Sequence, residues 1–416
     1  MRRTHPRSSR LARIAVAVAC AVTPLLAAHP AAASSPGDWR VADFLLRSPV
    51  TWYVDPGSPA ARQADLDAAH GDPTGAARMR ALAAVPTAVW FTGGTPDEVR
   101  RQVGATMAEA ARQRGVPVLV AYNIPGRDCG QYHAGGAADE ASYRAWIDAF
   151  AEAIGAQPAV VVVEPDSLAM LPSEPWCDTG GGGSTGQPED TARTDERFRE
   201  IRYAVDRFRQ DRLTAVYLDA GHSAWQPLND YDSGYGQPRQ QLGMASRLLR
   251  AGIDRATGFF LNVANFRRTD ELVDYGTRLS KCLYYREYSG ATGCSDADLA
   301  GVDVDPLFMT HFVVDTSRNG QGPWQPPQDA YPDPQSWCNP PGRGLGARPT
   351  TQTGHPLVDA YLWIKRPGVS DGPCSRGTDG PGDPENNGTV DPDPQTFWPE
   401  YADGLIDRAD PPLPVS

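Results

Sequence analysis

Short apolar runs that alternate with helical patterns restrict most strongly how this chain folds. The runs are Thr51–Val54, Thr87–Phe91, Pro117–Ile124, Ala159–Glu164, Leu213–Asp219, Gly258–Val263, Phe308–Asp315 and Asp359–Lys365. Segments with helical apolar spacing lie between them, including Pro96–Arg114, Ala141–Ile154 and Thr194–Arg209. Such alternation is typical of an α/β fold whose parallel sheet is covered on both faces. About eight units predict a β/α barrel; a doubly wound open sheet is the alternative, although no GxGxxG motif follows an early strand.

The first 33 residues have the pattern of a secretory signal peptide. A basic head is followed by the apolar stretch Ile14–Ala28 and by Ala31-Ala32-Ala33, a small-residue cleavage site. Attachment of a lipid at Cys20 is the alternative, but this cysteine lies inside the apolar run. No long linker and no internal repeat follows, so residues 34–414 are predicted to form one domain of a secreted, extracellular protein.

Charge and cysteine content narrow the class of protein further. The formal net charge is -12, and the leader would remove arginines but no acids. A chain this acidic repels phosphate backbones and anionic membranes, so we expect neither nucleic acid nor a membrane as a partner. Six cysteines remain beyond the leader. An even number in an exported chain predicts three disulfides, with 15 pairings open, and no CxxC spacing indicates zinc.

Aspartates follow four of the predicted strands. They are Asp128, Asp166, Asp219 and Asp371. The carboxyl ends of barrel strands meet at one mouth, so these side chains are expected to converge there. Clustered carboxylates suit glycoside hydrolysis, in which one acid donates a proton and another stays charged to activate water. A metal site is less favoured, because hard cations take several ligands from a short loop. We expect no cofactor and no metal.

Three tryptophans near strand ends are candidate sugar platforms. Trp90 ends an apolar run, Trp225 follows Asp219 by six residues, and Trp337 precedes Cys338. Indole rings stack against the C–H faces of sugars, although any one of these side chains could equally belong to the core. Together with the aspartates, they favour a neutral polysaccharide as the substrate.

These segments together resemble glycoside hydrolase family six, the inverting cellulases. The matching segments are Tyr122–Cys129, Val163–Ser167, Tyr217–Trp225, Asn262–Asn265, Val314–Gly320, Trp337–Arg343 and Leu362–Gly368. They run in the family's order and cover nearly the whole chain beyond the leader. The resemblance implies a distorted, partly open, TIM-like barrel of about seven to eight parallel strands that hydrolyses β-1,4-glucosidic bonds of cellulose, β-glucan or cello-oligosaccharides as a monomer.

The resemblance also implies roles for individual residues. Asp166 falls on the catalytic acid, Asp128 on the second aspartate that keeps the acid protonated, and Asp371 on the proposed base. Tyr122 falls on the tyrosine that crowds the distorted sugar, and Arg127 is expected to pair with the carboxylates. The implied sugar-binding positions are Asp219, His222, Asn265 and Lys365, with stacking at Trp90, Trp225 and Trp337. The implied disulfides are Cys129–Cys177 and Cys338–Cys374, which leaves Cys282–Cys294.

Two departures from the family pattern concern the rate of the reaction. Val369 stands where the family usually has a glutamate, and the loop Gly130–Glu140 lacks the serine that holds the catalytic water. These losses leave a weakened, sugar-binding relative as an alternative to an active enzyme. The short loop after Cys129 favours internal cuts in a half-open cleft. The segment Asp371–Pro394 is long, as it is in the cellobiohydrolases, which cut from chain ends. Cutting from chain ends therefore remains an alternative.

Overall fold

A computed structural model describes residues 49–415, apart from residues 131, 175–176, 178–187 and 233–239. The predicted signal peptide, residues 1–33, lies outside the described residues. The described part of the predicted domain folds around one main sheet. No helix within it is both long enough and apolar enough to cross a bilayer.

Seven parallel strands form this sheet, and each pairs with the next one along the chain. They are β1 (Val89–Phe91), β2 (Val118–Ala121), β3 (Ala159–Val163), β4 (Thr214–Asp219), β5 (Gly258–Leu261), β6 (His311–Asp315) and β7 (Val358–Leu362). The sequential order confirms the predicted barrel, because a doubly wound sheet would reverse direction along the order. A separate ribbon pairs Tyr231–Asp232 with Gln240–Gln241.

The two edges of the sheet meet without forming a ladder. The backbone N–H of Ala88 donates to the carbonyl of Trp363 at 2.9 Å. The indole Nε1 of Trp90 donates to the carbonyl of Ile364 at 2.8 Å. The barrel is therefore partly open, with β1 and β7 joined by two hydrogen bonds.

The prediction of a strand at Thr51–Val54 was wrong. Only Trp52 forms a bridge, to Val116. The Gln113 side chain takes up both the N–H and the C=O of Val54, at 3.1 and 2.9 Å. Pro56 then ends the run, because proline lacks the N–H that a ladder needs.

Alternation along the strands divides the core into two layers. Val118 and Val120 point into the barrel and pack with Tyr217 and Phe260. Leu119, next to them in the chain, belongs to the larger cluster between sheet and helices. Successive side chains of a strand point to opposite faces, so the near-continuous apolar runs reflect burial on both sides.

Nine α-helices occur in the described ranges. They are α1 (Pro59–Ala69), α2 (Pro73–Ala83), α3 (Pro96–Gln113), α4 (Glu140–Ile154), α5 (Pro188–Phe208), α6 (Met244–Ala251), α7 (Thr269–Ser289), α8 (Asp296–Ala300) and α9 (Pro399–Asp407). The three helices predicted between strands are α3, α4 and α5. Thr95 and Glu98 form a capping box that fixes the start of α3 and hence the turn after β1.

All three disulfides implied by the resemblance are present. Two of them hold loops at the carboxyl ends of the strands: Cys129–Cys177 ties the loop after β2 to the loop after β3, and Cys338–Cys374 ties two segments that flank β7. Cys282–Cys294 closes a short loop at the end of α7. The first two bonds therefore brace the loops that carry Asp128 and Asp371.

Candidate active site

A cleft of about 770 Å³ lies at the carboxyl ends of the strands. Asp128, Asp166 and Asp371 all line it, although the chain positions of these residues are far apart. A smaller cavity of about 50 Å³ adjoins it, and Asp166 and His133 line both. The structure thus brings together the three aspartates that the sequence analysis selected.

Asp166 lies in the turn after β3, with a left-handed backbone (φ +69°). Within the described residues, neither a hydrogen bond nor an ion pair holds its half-buried carboxyl group. Burial raises the pKa of Asp166 well above its ordinary value, and the charges of Asp219, Asp128 and Asp371 raise it further. Burial and like charges both disfavour the ionised form, so the surroundings of Asp166 favour its protonated form.

Asp219, at the end of β4, supports the segment that carries Asp166. Its Oδ2 accepts the backbone N–H groups of Leu168 and Ala169, at 3.0 and 2.8 Å, and its Oδ1 accepts that of Gly221 at 3.1 Å. The side chain is buried and does not line the cleft. The sequence analysis placed Asp219 among the sugar-binding groups, whereas in the structure its oxygens are occupied by backbone amides below the cleft.

Asp128 opens a single 3₁₀ turn after β2, and its backbone is also left-handed (φ +57°). Its Oδ2 accepts the backbone N–H of His133 at 2.7 Å. Burial raises the pKa of Asp128 to about 6, against the lowering effects of that hydrogen bond and of Arg127. The charge of Asp128 therefore changes near pH 6.

The prediction that Arg127 pairs with the carboxylates was wrong. Its guanidinium group donates to backbone carbonyls: Nη1 to Thr92 and Tyr122, at 2.8 and 2.6 Å, and Nε to His133 at 2.8 Å. It also lies 4.6 Å from the centre of the Tyr122 ring. The planar guanidinium group has five N–H donors, so it can hold several backbone carbonyl groups of one loop at the same time. Among the described residues, Arg127 forms no ion pair with a carboxylate, and it affects their pKa values through its positive charge alone.

Two other cations pair with Asp371. Arg318 Nη1 lies 2.8 Å from Oδ2 of Asp371, and Lys365 Nζ lies 2.7 Å from Oδ1. The backbone N–H of Asn339 donates to Oδ2 at 3.1 Å. Although burial alone would raise it, the two cations hold the pKa of Asp371 far below its ordinary value. Asp371 therefore stays ionised at acidic pH values at which Asp128 carries a proton.

Sequence reasoning missed Arg318 and Asn339, although both lie in segments that matched the family. Arg318 follows the end of β6 by three residues, and its side chain is fully buried. A buried arginine needs a partner, so an arginine just beyond a strand end was an available signal.

Glu164, also missed, supports the site from below. It is fully buried at the end of β3 and accepts the backbone N–H groups of Asn123 and Ile124 at 2.8–3.0 Å. Burial raises its pKa to about 7. This carboxyl group joins the loop after β2 to the turn that carries Asp166.

Aromatic side chains line both parts of the cleft. Trp90 and Tyr122 meet edge to face in the smaller cavity, with ring centres 5.4 Å apart. The larger part is lined by Trp225, His222, Asn265, Trp337 and by Trp324, which the sequence analysis did not select. Lys365 and Val369 line the smaller cavity. The half-buried rings of Trp90, Trp225 and Trp337 offer the stacking faces that a neutral sugar chain requires.

One group of potential metal ligands occurs in the described part of the chain: Cys374, Asp383 and Asp391. Cys374 is in a disulfide, and Asp383 pairs with Arg376 at 2.6 Å. Asp391 accepts a hydrogen bond from Asn339 at 3.1 Å. These three groups already have protein partners, and none of them lines the cleft.

The sequence profile of the family described as "Glycosyl hydrolases family 6" matches residues 47–409. The chain belongs to this family. As a family 6 member it is a glycoside hydrolase, and the match spans every strand of the barrel and all three aspartates of the cleft.

Named relatives of this family 6 chain include endoglucanases. It is 35% identical to "Endoglucanase A" of Thermobispora bispora over 88% of its length, and spans 66% of that protein. It is also 35% identical to "Endoglucanase 1" of Streptomyces halstedii, over 89% of this chain and 94% of the relative. The solved endoglucanase Cel6 of Mycobacterium tuberculosis, in complex with methyl-cellobiosyl-4-deoxy-4-thio-β-D-cellobioside, matches with 37% identity and a TM-score of 0.65, covering 87% of this chain and 98% of that one.

Proposed function

We propose that this protein is an inverting β-1,4-glucanase that cuts cellulose-like chains internally. The observation that carries the proposal is that two carboxyl groups of one cleft have opposite surroundings. Asp166 has no hydrogen-bond partner in the described residues and its pKa is raised, whereas Asp371 contacts both Arg318 and Lys365 and its pKa is lowered. Two carboxyl groups whose environments push their pKa values apart are typical of an acid and its charged counterpart.

In the proposed reaction, Asp166 protonates the glycosidic oxygen as the bond to C1 breaks. A water molecule attacks C1 from the opposite face, which inverts the configuration. The negative charge of Asp371 stabilises the positive charge that develops on the sugar ring. Trp90 and Tyr122 hold the ring on one side of Asp166, and the wider part of the cleft takes the following units.

The solved relative supports the substrate class, since it holds a cello-oligosaccharide analogue. The cleft supports it as well, because its lining combines indole rings with neutral and charged hydrogen-bonding groups. All of these groups come from a single chain, so no second subunit is needed to complete the cleft. Cello-oligosaccharides and β-glucan chains are the proposed partners.

The test compares wild type with Asp166→Asn on barley β-glucan and cellopentaose. Loss of a general acid costs about 10²–10⁴-fold in rate, so reducing-sugar release is expected to fall by that factor. Asp303→Asn, at an exposed position outside the cleft, serves as the matched control and should keep full activity. Proton NMR of fresh product should show the α-anomer first. Initial release of the β-anomer, or an Asp166→Asn variant as active as wild type, would refute the proposed mechanism.

Release of units from chain ends is the second candidate action. Tyr132 favours it, because its hydroxyl group donates to the carbonyl of Pro373 at 3.2 Å and joins the loop after β2 to the loop after β7. Its ring also lies 5.8 Å from that of Trp337. Loops that meet above a cleft restrict the entry of internal segments. Rapid loss of viscosity relative to sugar release indicates internal cuts, and slow loss indicates action at chain ends.

Secretion is part of the proposal. The leader pattern of residues 1–33 predicts export, and three disulfides are stable in an oxidising compartment. Expression of the full chain in a bacterial host, followed by N-terminal sequencing of protein from the medium, should find a new N-terminus after Ala33. Retention of the intact chain inside the cells would contradict secretion.

A further inference from the structure

His133 lies at the junction of the two parts of the cleft. It lines both cavities, as does Asp166. Its backbone is fixed on both sides: the N–H donates to Asp128 Oδ2 at 2.7 Å, and the C=O accepts from Arg127 Nε at 2.8 Å. The imidazole is therefore presented to the cleft from a braced loop.

The ring nitrogens of His133 are not used by the protein. Within the described ranges, neither nitrogen has a hydrogen bond or an ion pair, and the ring meets only the edge of Tyr122, with centres 6.5 Å apart. His222, the other cleft histidine, instead accepts the backbone N–H of Ala224 at 3.2 Å. A half-buried polar group that faces a cleft without a protein partner is available to water or substrate.

Burial and neighbouring cations favour the neutral form of the His133 ring. Burial lowers its pKa to about 4, and Lys365, Arg127 and Arg318 add to the lowering, against the raising effect of Asp371. Among the described residues, two further ionisable groups contact His133: Asp128, which accepts its backbone N–H, and Tyr122, whose ring meets the imidazole. A neutral imidazole has one nitrogen lone pair free to accept a proton.

Asp371 is poorly suited to accept a proton. Arg318 and Lys365 each contact one of its oxygens, and the N–H of Asn339 binds as well. A proton on this carboxylate would have to displace those contacts. His133 has no such competitors in the described residues and lies in the same cleft.

We propose that His133 binds the attacking water and accepts its proton during hydrolysis. This inference rests on the proposed function. The water oxygen bonds to C1 as the C1–O bond breaks, the departing oxygen takes the proton of Asp166, and the proton of the water moves to the imidazole. The resulting imidazolium releases that proton to solvent through the cleft, and Asp166 regains one from solvent. Atoms and charge balance without a co-reactant.

The test uses wild type, His133→Ala and His133→Gln with 2,4-dinitrophenyl β-cellobioside, whose leaving group needs no protonation. We expect kcat to fall about 100-fold or more in both variants, with KM changed by less than about threefold. Glutamine can hydrogen-bond to water but cannot take its proton, so it should be as slow as alanine. Sodium azide should restore turnover of His133→Ala and give the α-glycosyl azide, because an anion attacks without losing a proton.

Three results would overturn the role of His133: unchanged kcat, a loss confined to KM, or a slow alanine variant that azide does not rescue. A His133→Gln variant as fast as wild type would show that the imidazole acts only as a hydrogen-bonding group. That result would also overturn its role as proton acceptor. His70→Ala, exposed at the end of α1, is the matched control. If the wild-type protein itself is inactive, the proposed function is wrong. Failure of the proposed function can thus be told apart from failure of the role of His133. Melting temperatures and cellotetraose binding of each variant report folding.

Discussion

Arg318 and Asp371 form a salt bridge of 2.8 Å that is almost completely closed to solvent. Lys365 adds a second cation 2.7 Å from the other oxygen of the same carboxylate. Taking charges out of water is costly, and the mutual attraction offsets that cost only while every partner is present. The arrangement therefore couples the stability of the barrel mouth to the charge of one cleft residue.

Replacing Arg318 by methionine is expected to lower the free energy of unfolding at pH 7 by about 3–5 kcal/mol, since it removes one partner of a buried pair. The folded pKa of Asp371 is lowered, so its contribution is present above the unfolded pKa and is lost as pH falls below about 4. The penalty should therefore shrink at pH 3. Urea unfolding at both pH values measures it. Arg278→Met, which breaks an exposed pair with Asp296, should cost under about 1 kcal/mol.

Asp128→Asn should move the alkaline limb of the pH–rate profile to lower pH. The charge of Asp128 is one cause of the raised pKa of Asp166, and an amide removes that charge. The catalytic acid then loses its proton at a lower pH, so activity on cellopentaose declines earlier between pH 5 and 9. An unchanged alkaline limb would show that Asp128 does not act on Asp166 through its charge.

Glu164→Gln should remove part of the pH dependence of stability. The folded pKa of Glu164 is raised to about 7, so the folded state holds a proton that the unfolded state releases near pH 4. Wild-type stability should therefore fall as pH rises from about 4 to 7 through this group. Guanidinium unfolding at pH 4 and pH 8 should show a smaller difference in the variant. An equal difference would mean that Glu164 is not protonated in the folded state.

Asp359→Asn should destabilise the amino-terminal end of the barrel interior by about 3–5 kcal/mol. Asp359 accepts the hydroxyl group of Tyr217 and contacts His311 Nδ1, both at 2.6 Å. His311 Nε2 faces the carbonyl of Pro306 at 2.8 Å, so both ring nitrogens face acceptors. Tyr217→Phe removes one hydrogen bond and should cost about 1–2 kcal/mol. Thermal unfolding measures both costs. Similar unfolding midpoints for the two variants would contradict the prediction that Asp359→Asn is the more destabilising change.

Most strands of the barrel were predictable because they are buried on both faces. Ala159–Glu164 and Leu213–Asp219 show this: their apolar runs contain the fully buried strands β3 and β4 with only one residue to spare. The helices α1 and α2 were missed, since they are rich in alanine and have weak apolar periodicity. Their Ser58-Pro and Asp72-Pro starts were the available signal.

Most residues of the site were predictable from the sequence, but the hydrogen bonds and ion pairs that they form were not. Four strand-end aspartates were found, and three of them line the cleft. Asp219 turned inward because the backbone amides of Leu168 and Ala169 needed an acceptor. Arg127 bound carbonyls rather than carboxylates because the loop folds back around it. Such choices depend on three-dimensional distances, which spacing along a chain does not encode.

The two hydrogen bonds that join β1 to β7 have a consequence for biosynthesis. Ala88 and Trp90 find their partners, Trp363 and Ile364, only after nearly the whole chain has left the ribosome. Arg78 likewise waits for Asp403, 2.6 Å away in the last helix. Contacts so distant along the chain form slowly, because loop-closure entropy must be overcome first. The barrel is therefore expected to close only late in synthesis, after the segment that follows β7 has been made.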